Sequence, residues 1–256
     1  MDETAWWTFL LIFVRITTFM LTAPIFSGRQ IPVIYKIGFS IVLSFLCVGV
    51  VKEQFESLSQ GALILLIIKE FFVGIVLGMV ANIFMYAVQF AGSLLDFQIG
   101  FFMANLYDPT FGTNTQLTGQ FQNILAILVL LATNGHHLII QAILASFDWI
   151  SLQDLVPAWM DGTISTFFLE SLVKMFLIGF MMALPIVGTL FLVDVGLGIM
   201  AKTVPQMNIF VIFPPVKILI HFLIYIVILP SLFYLLKVLF ENMYEAMYSI
   251  LNIMGG

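Results

Sequence analysis

Charge is what this 256-residue sequence has least of: Asp, Glu, Lys and Arg make up 9% of it, against 62% from the set AVILMFWYC. A water-soluble domain carries roughly 25% charged and about 45–50% apolar residues, so the polar surface here is too small to cover a water-facing sphere. That shortage, with a mean hydropathy of +1.13, places the chain among integral membrane proteins. Nine Lys and Arg stand singly among fourteen Asp and Glu, for a net charge of -5. No basic stripe is available to neutralise phosphates, which excludes binding to DNA or RNA. The single cysteine, Cys47, lies in an apolar run and excludes a disulfide framework. There is also no phosphate-cradling GxxxxGK[ST], no serine elbow, no close carboxylate pair in a polar setting and no Cys/His cluster. The expectation is a protein that is not an enzyme, with no cofactor and no metal.

What is present is hydrophobic length. Apolar stretches near 5–26, 33–51, 62–95, 121–147, 167–194 and 209–240 predict six spanning helices, since a segment in lipid must satisfy its own backbone polar groups. The uncharged run from Phe71 to Leu95 lacks the alternation of barrel strands, so the fold class is all-α. MDETAWW at the N-terminus carries two acids where a cleavable signal would need cations, and the first helix is expected to be retained. Arg29 and Lys36 flank the first loop, and Lys202 and Lys217 bracket the fifth; acids dominate the opposite loops. The positive-inside rule then puts loops one, three and five in the cytoplasm. Pro185 and Pro230, the Lys69-Glu70 pair and the Glu170/Lys174 i,i+4 pair all fall within predicted spans. Such residues are tolerated at membrane depth where protein surrounds them, so the chain reads as one part of a larger assembly.

The third helix carries two rows. Asn82, Gln89 and Asp96 recur every seven residues, beside Gly74, Gly78, Met85 and Gly92, with Gly100 beyond. A seven-residue step returns to nearly the same helix face. The small row suits close helix packing and assembly, and the polar row suits either interhelical hydrogen bonds or the lining of a hydrated passage. After it, YDPTFGTNTQLTGQF from Tyr107 to Phe121 has no apolar periodicity and predicts an irregular loop. Such a loop is a plain connector if it lies in water, or lines a cavity if it lies at membrane depth. Phe111 is the residue in it that could plug an opening.

NGHH, from Asn134 to His137, lacks an HExxH spacing, and His221 is remote in sequence; a helix junction with polar caps is the better reading than a metal site. The segment from Asp194 to Ile218 holds Pro205, Pro214 and Pro215, expected to stop helices. Gly196 and Gly198 there would permit close backbone approach. Met200, Met207, Phe210 and Phe213 supply adaptable apolar surface, suited either to lipid anchoring or to closing around varied partners.

Four segments together carry a resemblance: TAPIFSGRQIP (Thr22 to Pro32), GSLLDFQIGFFMANLYDP (Gly92 to Pro109), TNGHHLII (Thr133 to Ile140) and MALPIVGTLFLVDVGLGIMAKTVPQMNIFVIFPPVKI (Met182 to Ile218). In this order and spacing, over essentially the whole chain, the sequence resembles the flagellar branch of the FliR/SctT family of type III secretion export-gate proteins. The resemblance implies helical hairpins in a hetero-oligomeric gate of the bacterial inner membrane, which passes unfolded flagellar subunits. It implies FliP-like and FliQ-like partner subunits and a FlhB-like protein. It also implies an N-terminal part, about 1–165, similar to FliP, and a hairpin, about 166–256, similar to FliQ.

The family's plug loop corresponds to Asp108, Pro109, Thr110, Phe111, Gly112, Thr113 and Asn114. The cytoplasmic hairpin tip corresponds to Lys202, Pro205, Gln206, Met207, Phe210, Pro214 and Lys217. Gly74, Gly78, Asn82, Gln89, Gly92, Asp96 and Gly100 are the packing and assembly residues. An injectisome gate and a secondary transporter binding solute on the Asn82/Gln89/Asp96 face are the alternatives. The transporter would need an internal repeat, and none is seen.

Overall fold

The computed structural model describes residues 3–28, 30–49, 51, 60–101, 116–154, 162–204 and 209–255, and every regular element among them is an α-helix. In chain order these are α1 (Glu3–Thr22), α2 (Val33–Val48), α3 (Gln60–Ile99), α4 (Leu117–Ala132), α5 (Gly135–Trp149), α6 (Thr163–Thr203) and α7 (Ile209–Gly255). The all-α expectation holds. Two compact units can be distinguished, one of Met1–Phe84, Leu130–Leu172 and Phe240–Gly256, the other of Met85–Val129 and Val173–Leu239.

The six expected spans come out as four single helices, one bent pair and one short helix. The helices α1, α3, α6 and α7 are each long and apolar enough to cross a membrane, while α4 and α5 would make a fifth span bent by 74°. With 16 residues, α2 is about 24 Å long, short of a hydrocarbon core of about 30 Å. By contrast, α6 and α7 have 41 and 47 residues, about 60 and about 70 Å, well beyond one bilayer.

The bend between α4 and α5 is written in two residues. Asn134 has φ 57°, in the left-handed region, which asparagine tolerates better than most side chains. Gly135 follows because a Cβ there would collide with Leu130 and the Tyr244 hydroxyl. NGHH is therefore a helix junction, as expected, but Asn134 makes no side-chain cap hydrogen bond; backbone geometry makes the turn.

Pro214 and Pro215 do not stop a helix. They lie inside α7, which starts at Ile209, just as Pro185 lies inside α6 and Pro230 inside α7. Each proline removes one backbone donor, but unwinding the segment in an apolar setting would strand many more groups. The expected connector from Asp194 to Ile218 thus shrinks: α6 runs to Thr203 and α7 resumes at Ile209. Leu117 to Phe121, expected as loop, are the first turns of α4.

One helix reverses the rule of water-soluble folds. The buried residues of α2 are Lys36, Ser40, Ser44 and Cys47, spaced by four, four and three so that they share one face. Its exposed face carries Ile34 (82% exposed), Phe45 (65%) and Leu46 (64%). The inward serines bond back to the helix, Ser40 to the Lys36 carbonyl at 2.8 Å and Ser44 to the Ser40 carbonyl at 2.6 Å, and the Lys36 ammonium donates to the Gly28 carbonyl at 3.2 Å. Polar groups inside and apolar groups outside are stable only where the exterior is lipid or another protein. Much apolar surface is also left outside on α6 and α7, in which an apolar stretch of 18 residues is only 33% and 17% buried within the chain.

Candidate functional site

In the first unit the centre is a charged knot. Arg15 sits midway along α1 with no exposed surface, and its Nε pairs with Glu70 of α3, also fully buried. Its Nη1 donates to the Ser146 carbonyl at 2.8 Å and to Ser146 Oγ at 3.1 Å, and its Nη2 donates to the Ile150 carbonyl at 3.0 Å. The guanidinium also lies 4.4 Å from the centre of the Phe147 ring. Next to it, Lys69 Nζ pairs with Glu70 Oε1 at 3.1 Å and donates to the carbonyls of Ser151 and Asp154 at 2.6 and 3.0 Å.

Two cations therefore share one carboxylate and cover the carbonyls at and beyond the end of α5. A helix C-terminus carries about half a negative charge, which offsets the surplus cation. Only arginine's planar fork of donors can serve a carboxylate and two carbonyls together. Sequence reasoning noted Lys69 and Glu70 but missed Arg15. Its signal was a lone cation inside an apolar run, while its partners lie 55, 131 and 135 residues away.

The glycine row on α3 packs backbone to backbone. A Cβ on Gly74 would collide with Thr18 and the Arg15 carbonyl, and one on Gly78 with Thr22 and Ala23, both on the side of α1. Asn82 of the polar row donates to the Thr22 carbonyl at 3.0 Å, serving an acceptor at the end of α1 that has no partner in its own helix.

In the second unit Gly92 lies against Gly119 of α4, and Gly179 of α6 lies against the Ala87 carbonyl and the Phe90 ring. Asp96 is buried, and its carboxylate accepts from the backbone N–H groups of Thr118 at 3.0 Å and Gly119 at 3.4 Å. It thus caps the N-terminus of α4 from another helix, where the dipole favours a negative charge.

Two residues of the rows do not join in. Gln89 is exposed. Gly100, at φ +96°, has nothing within reach of an added Cβ; it terminates α3 by donating to the Asp96 and Phe97 carbonyls, each at 3.2 Å. Asn82 and Asp96 serve helix ends and Gln89 faces outward, so the row does not make the single solute-binding face that the transporter alternative required. Gly196 and Gly198 likewise have nothing within reach of an added Cβ, so the close approach expected of them is not made by any of the described residues.

The second unit holds a further polar cluster. Gln98 Nε2 donates to Asp194 Oδ2 at 2.9 Å, Lys217 Nζ pairs with Asp194 Oδ1 at 2.5 Å, and Lys217 also donates to the Gln98 carbonyl at 3.4 Å. These three side chains join the end of α3 to α6 and α7. Of the expected hairpin tip, Lys202 is exposed in the last turn of α6 and opposes its dipole. Pro214 and Lys217 lie in α7, and Phe210 lies in its first turn. Pro205, Gln206 and Met207 lie outside the described residues, as do the residues expected to form a plug, Asp108, Pro109, Thr110, Phe111, Gly112, Thr113 and Asn114.

The His136 and His137 rings lie 4.1 Å apart between centres, tilted by 37°, and no group of three His, Cys, Asp or Glu that could hold a metal occurs among the described residues.

The arrangement offers long helices pinned internally by buried charge and glycine contacts, with apolar outer faces. Comparison with known proteins agrees with that character. The family model described as bacterial export proteins, family 1, matches residues 6–243. The chain is 39% identical to the flagellar biosynthetic protein FliR of Bacillus subtilis (strain 168), over 96% of this chain and 95% of that protein. It is 30% identical to the flagellar biosynthetic protein FliR of Pectobacterium carotovorum subsp. carotovorum, over 94% and 91% of the two chains. Similarity to the Yop proteins translocation protein T of Yersinia pestis is lower, at 26% over 82% and 81%.

Proposed function

The chain belongs to the bacterial export proteins, family 1, and from that premise we propose that it is a pore subunit of the flagellar type III protein export gate. It serves flagellum biosynthesis by helping to pass unfolded flagellar subunits across the inner membrane. The observation that carries this reading is the inverted surface. The buried polar groups of α2 face inward while its apolar side faces out, and α7 buries only 17% of its apolar window within the chain. The area left over is far more than lipid contact around one bilayer needs for helices of about 60 and about 70 Å. FliP-like and FliQ-like subunits cover the remainder, and a FlhB-like protein joins the assembly.

The similarity to flagellar proteins over nearly the full chain supports the flagellar assignment over the injectisome one. Residues from about 1 to 165 act as the FliP-like part and those from about 166 to 256 as the FliQ-like hairpin, its tip toward the cytoplasm. The Asp108 to Asn114 segment seals the passage, and Met and Phe side chains close around translocating chains without sequence-specific hydrogen bonds. Energy for transport comes from other components, in keeping with the lack of a nucleotide-binding motif.

Co-expression with the two partner subunits and native mass measurement test this reading. A defined hetero-oligomer containing this chain is expected. A stable lone monomer under conditions where the partners assemble without it would refute the reading.

A further inference from the structure

The second unit contains three buried polar side chains that the gate reading does not use. Gln122 on α4 is 1% exposed, His221 on α7 is 2% exposed and Tyr225, one turn later on α7, is 8% exposed. Among the described residues, neither amide atom of Gln122 has a hydrogen-bond partner, nor does His221 Nδ1 or the Tyr225 hydroxyl. They lie together. The His221 and Tyr225 rings are 5.6 Å apart between centres, the Phe121 ring stands 5.9 Å from that of Tyr225, and the Gln122 amide lies beside the Tyr225 hydroxyl without closing a bond to it. The Asp96 carboxylate is taken up by the start of α4, one turn before Gln122.

A primary amide has two donor and two acceptor positions, and leaving all of them unmet inside an apolar bundle is strongly unfavourable. A direct Gln122–Tyr225 bond would satisfy one of them and leave the imidazole nitrogen unserved. Water donates twice and accepts twice, and buried water typically makes about three bonds to such groups. We propose that Gln122, His221 and Tyr225 form a buried hydration site, holding water that bridges the amide, the imidazole Nδ1 and the phenol. Bridges of this kind join α4 to α7 by bonds that reform readily when one helix shifts against the other. The N-terminal end of α4 is thereby tethered without being locked.

Radiolytic footprinting of the intact gate complex tests the site, because hydroxyl radicals generated from bound water oxidise the side chains beside it. Rates are normalised for intrinsic side-chain reactivity and compared with Phe19 and Phe84, which are fully buried and lie in the other unit. Tyr225 and His221 are expected to oxidise several-fold faster than those two. In Gln122→Leu the rate at both should fall toward theirs. Oxidation of Tyr225 and His221 at the rate of Phe19 and Phe84 in the unmodified complex overturns the proposal, as does a rate unchanged by Gln122→Leu. Should Gln122→Leu fail to assemble, Tyr225→Phe with His221 as the reporter gives the same comparison.

Discussion

Arg15 concentrates the energetics of the first unit in one side chain. Removing one partner from a buried, hydrogen-bonded ion pair leaves an uncompensated charge and costs about 3–5 kcal/mol. Arg15→Met should therefore sharply lower the thermal stability of the solubilised assembly. Arg15→Lys should fall between the two, because a point charge cannot bridge Glu70 and the two α5 carbonyls at once. An Arg15→Met assembly that melts with the unmodified one would show that the knot is incidental. Asp96 acts on a smaller scale: its loss removes a cap on α4 together with a favourable charge–dipole contact, about 1–2 kcal/mol. Asp96→Ala should leave the chain assembled and loosen the start of α4, seen as faster amide exchange at Thr118 and Gly119. Unchanged exchange there would contradict the capping role. Both residues were visible in the sequence as lone charges in apolar surroundings. Their partners were not, since a carboxylate reaching an N-terminus 22 residues on, or a guanidinium reaching carbonyls 131 and 135 residues on, leaves no periodic trace.

Among the elements, α3 was the most legible. Its glycines at four-residue spacing announced a close-packing face, and Gly74, Gly78 and Gly92 are each pressed against backbone or a threonine side chain. Periodicity alone could not separate these from Gly100, which shares the spacing but serves as a terminator at positive φ. The prolines misled for a related reason. Local rules give Pro214 and Pro215 as helix stops, but in an apolar environment the cost of two missing donors is smaller than that of unwinding, and α7 continues through them. The contrast among glycines yields a prediction. Gly78→Ala and Gly92→Ala should reduce the yield of folded chain, whereas Gly188→Ala, with nothing within reach of its Cβ, should be tolerated and favour the helix by about 0.5–1 kcal/mol. Expression and protease resistance of the three variants side by side measure this; equal behaviour of all three would remove the close-packing argument.

For the whole molecule, the composition that opens the sequence takes on a definite meaning once the few charges are located. Arg15, Lys36, Lys69, Glu70 and Asp96 are all buried, and Ile, Leu, Val and Phe supply much of the exposed surface, with Glu170, Lys174 and Lys202 among the charges that stay outside. A chain built this way holds its helices with internal polar contacts and offers its apolar area to lipid and to neighbours. The proposed plug segment was legible only as a break in the sequence periodicity after α3. The sealing role proposed for it predicts that deleting Thr110 to Thr115 makes the assembled gate leaky to small ions, measured as ion flux into vesicles or collapse of the membrane potential in cells; a tight membrane with normal secretion would refute it. The central claim, that this chain is a pore subunit of the flagellar export gate, is tested most directly by assaying export of flagellar subunits into the medium from cells lacking it. The account predicts that export stops in its absence and returns when the chain is resupplied. Continued export at the normal rate without it would contradict the account.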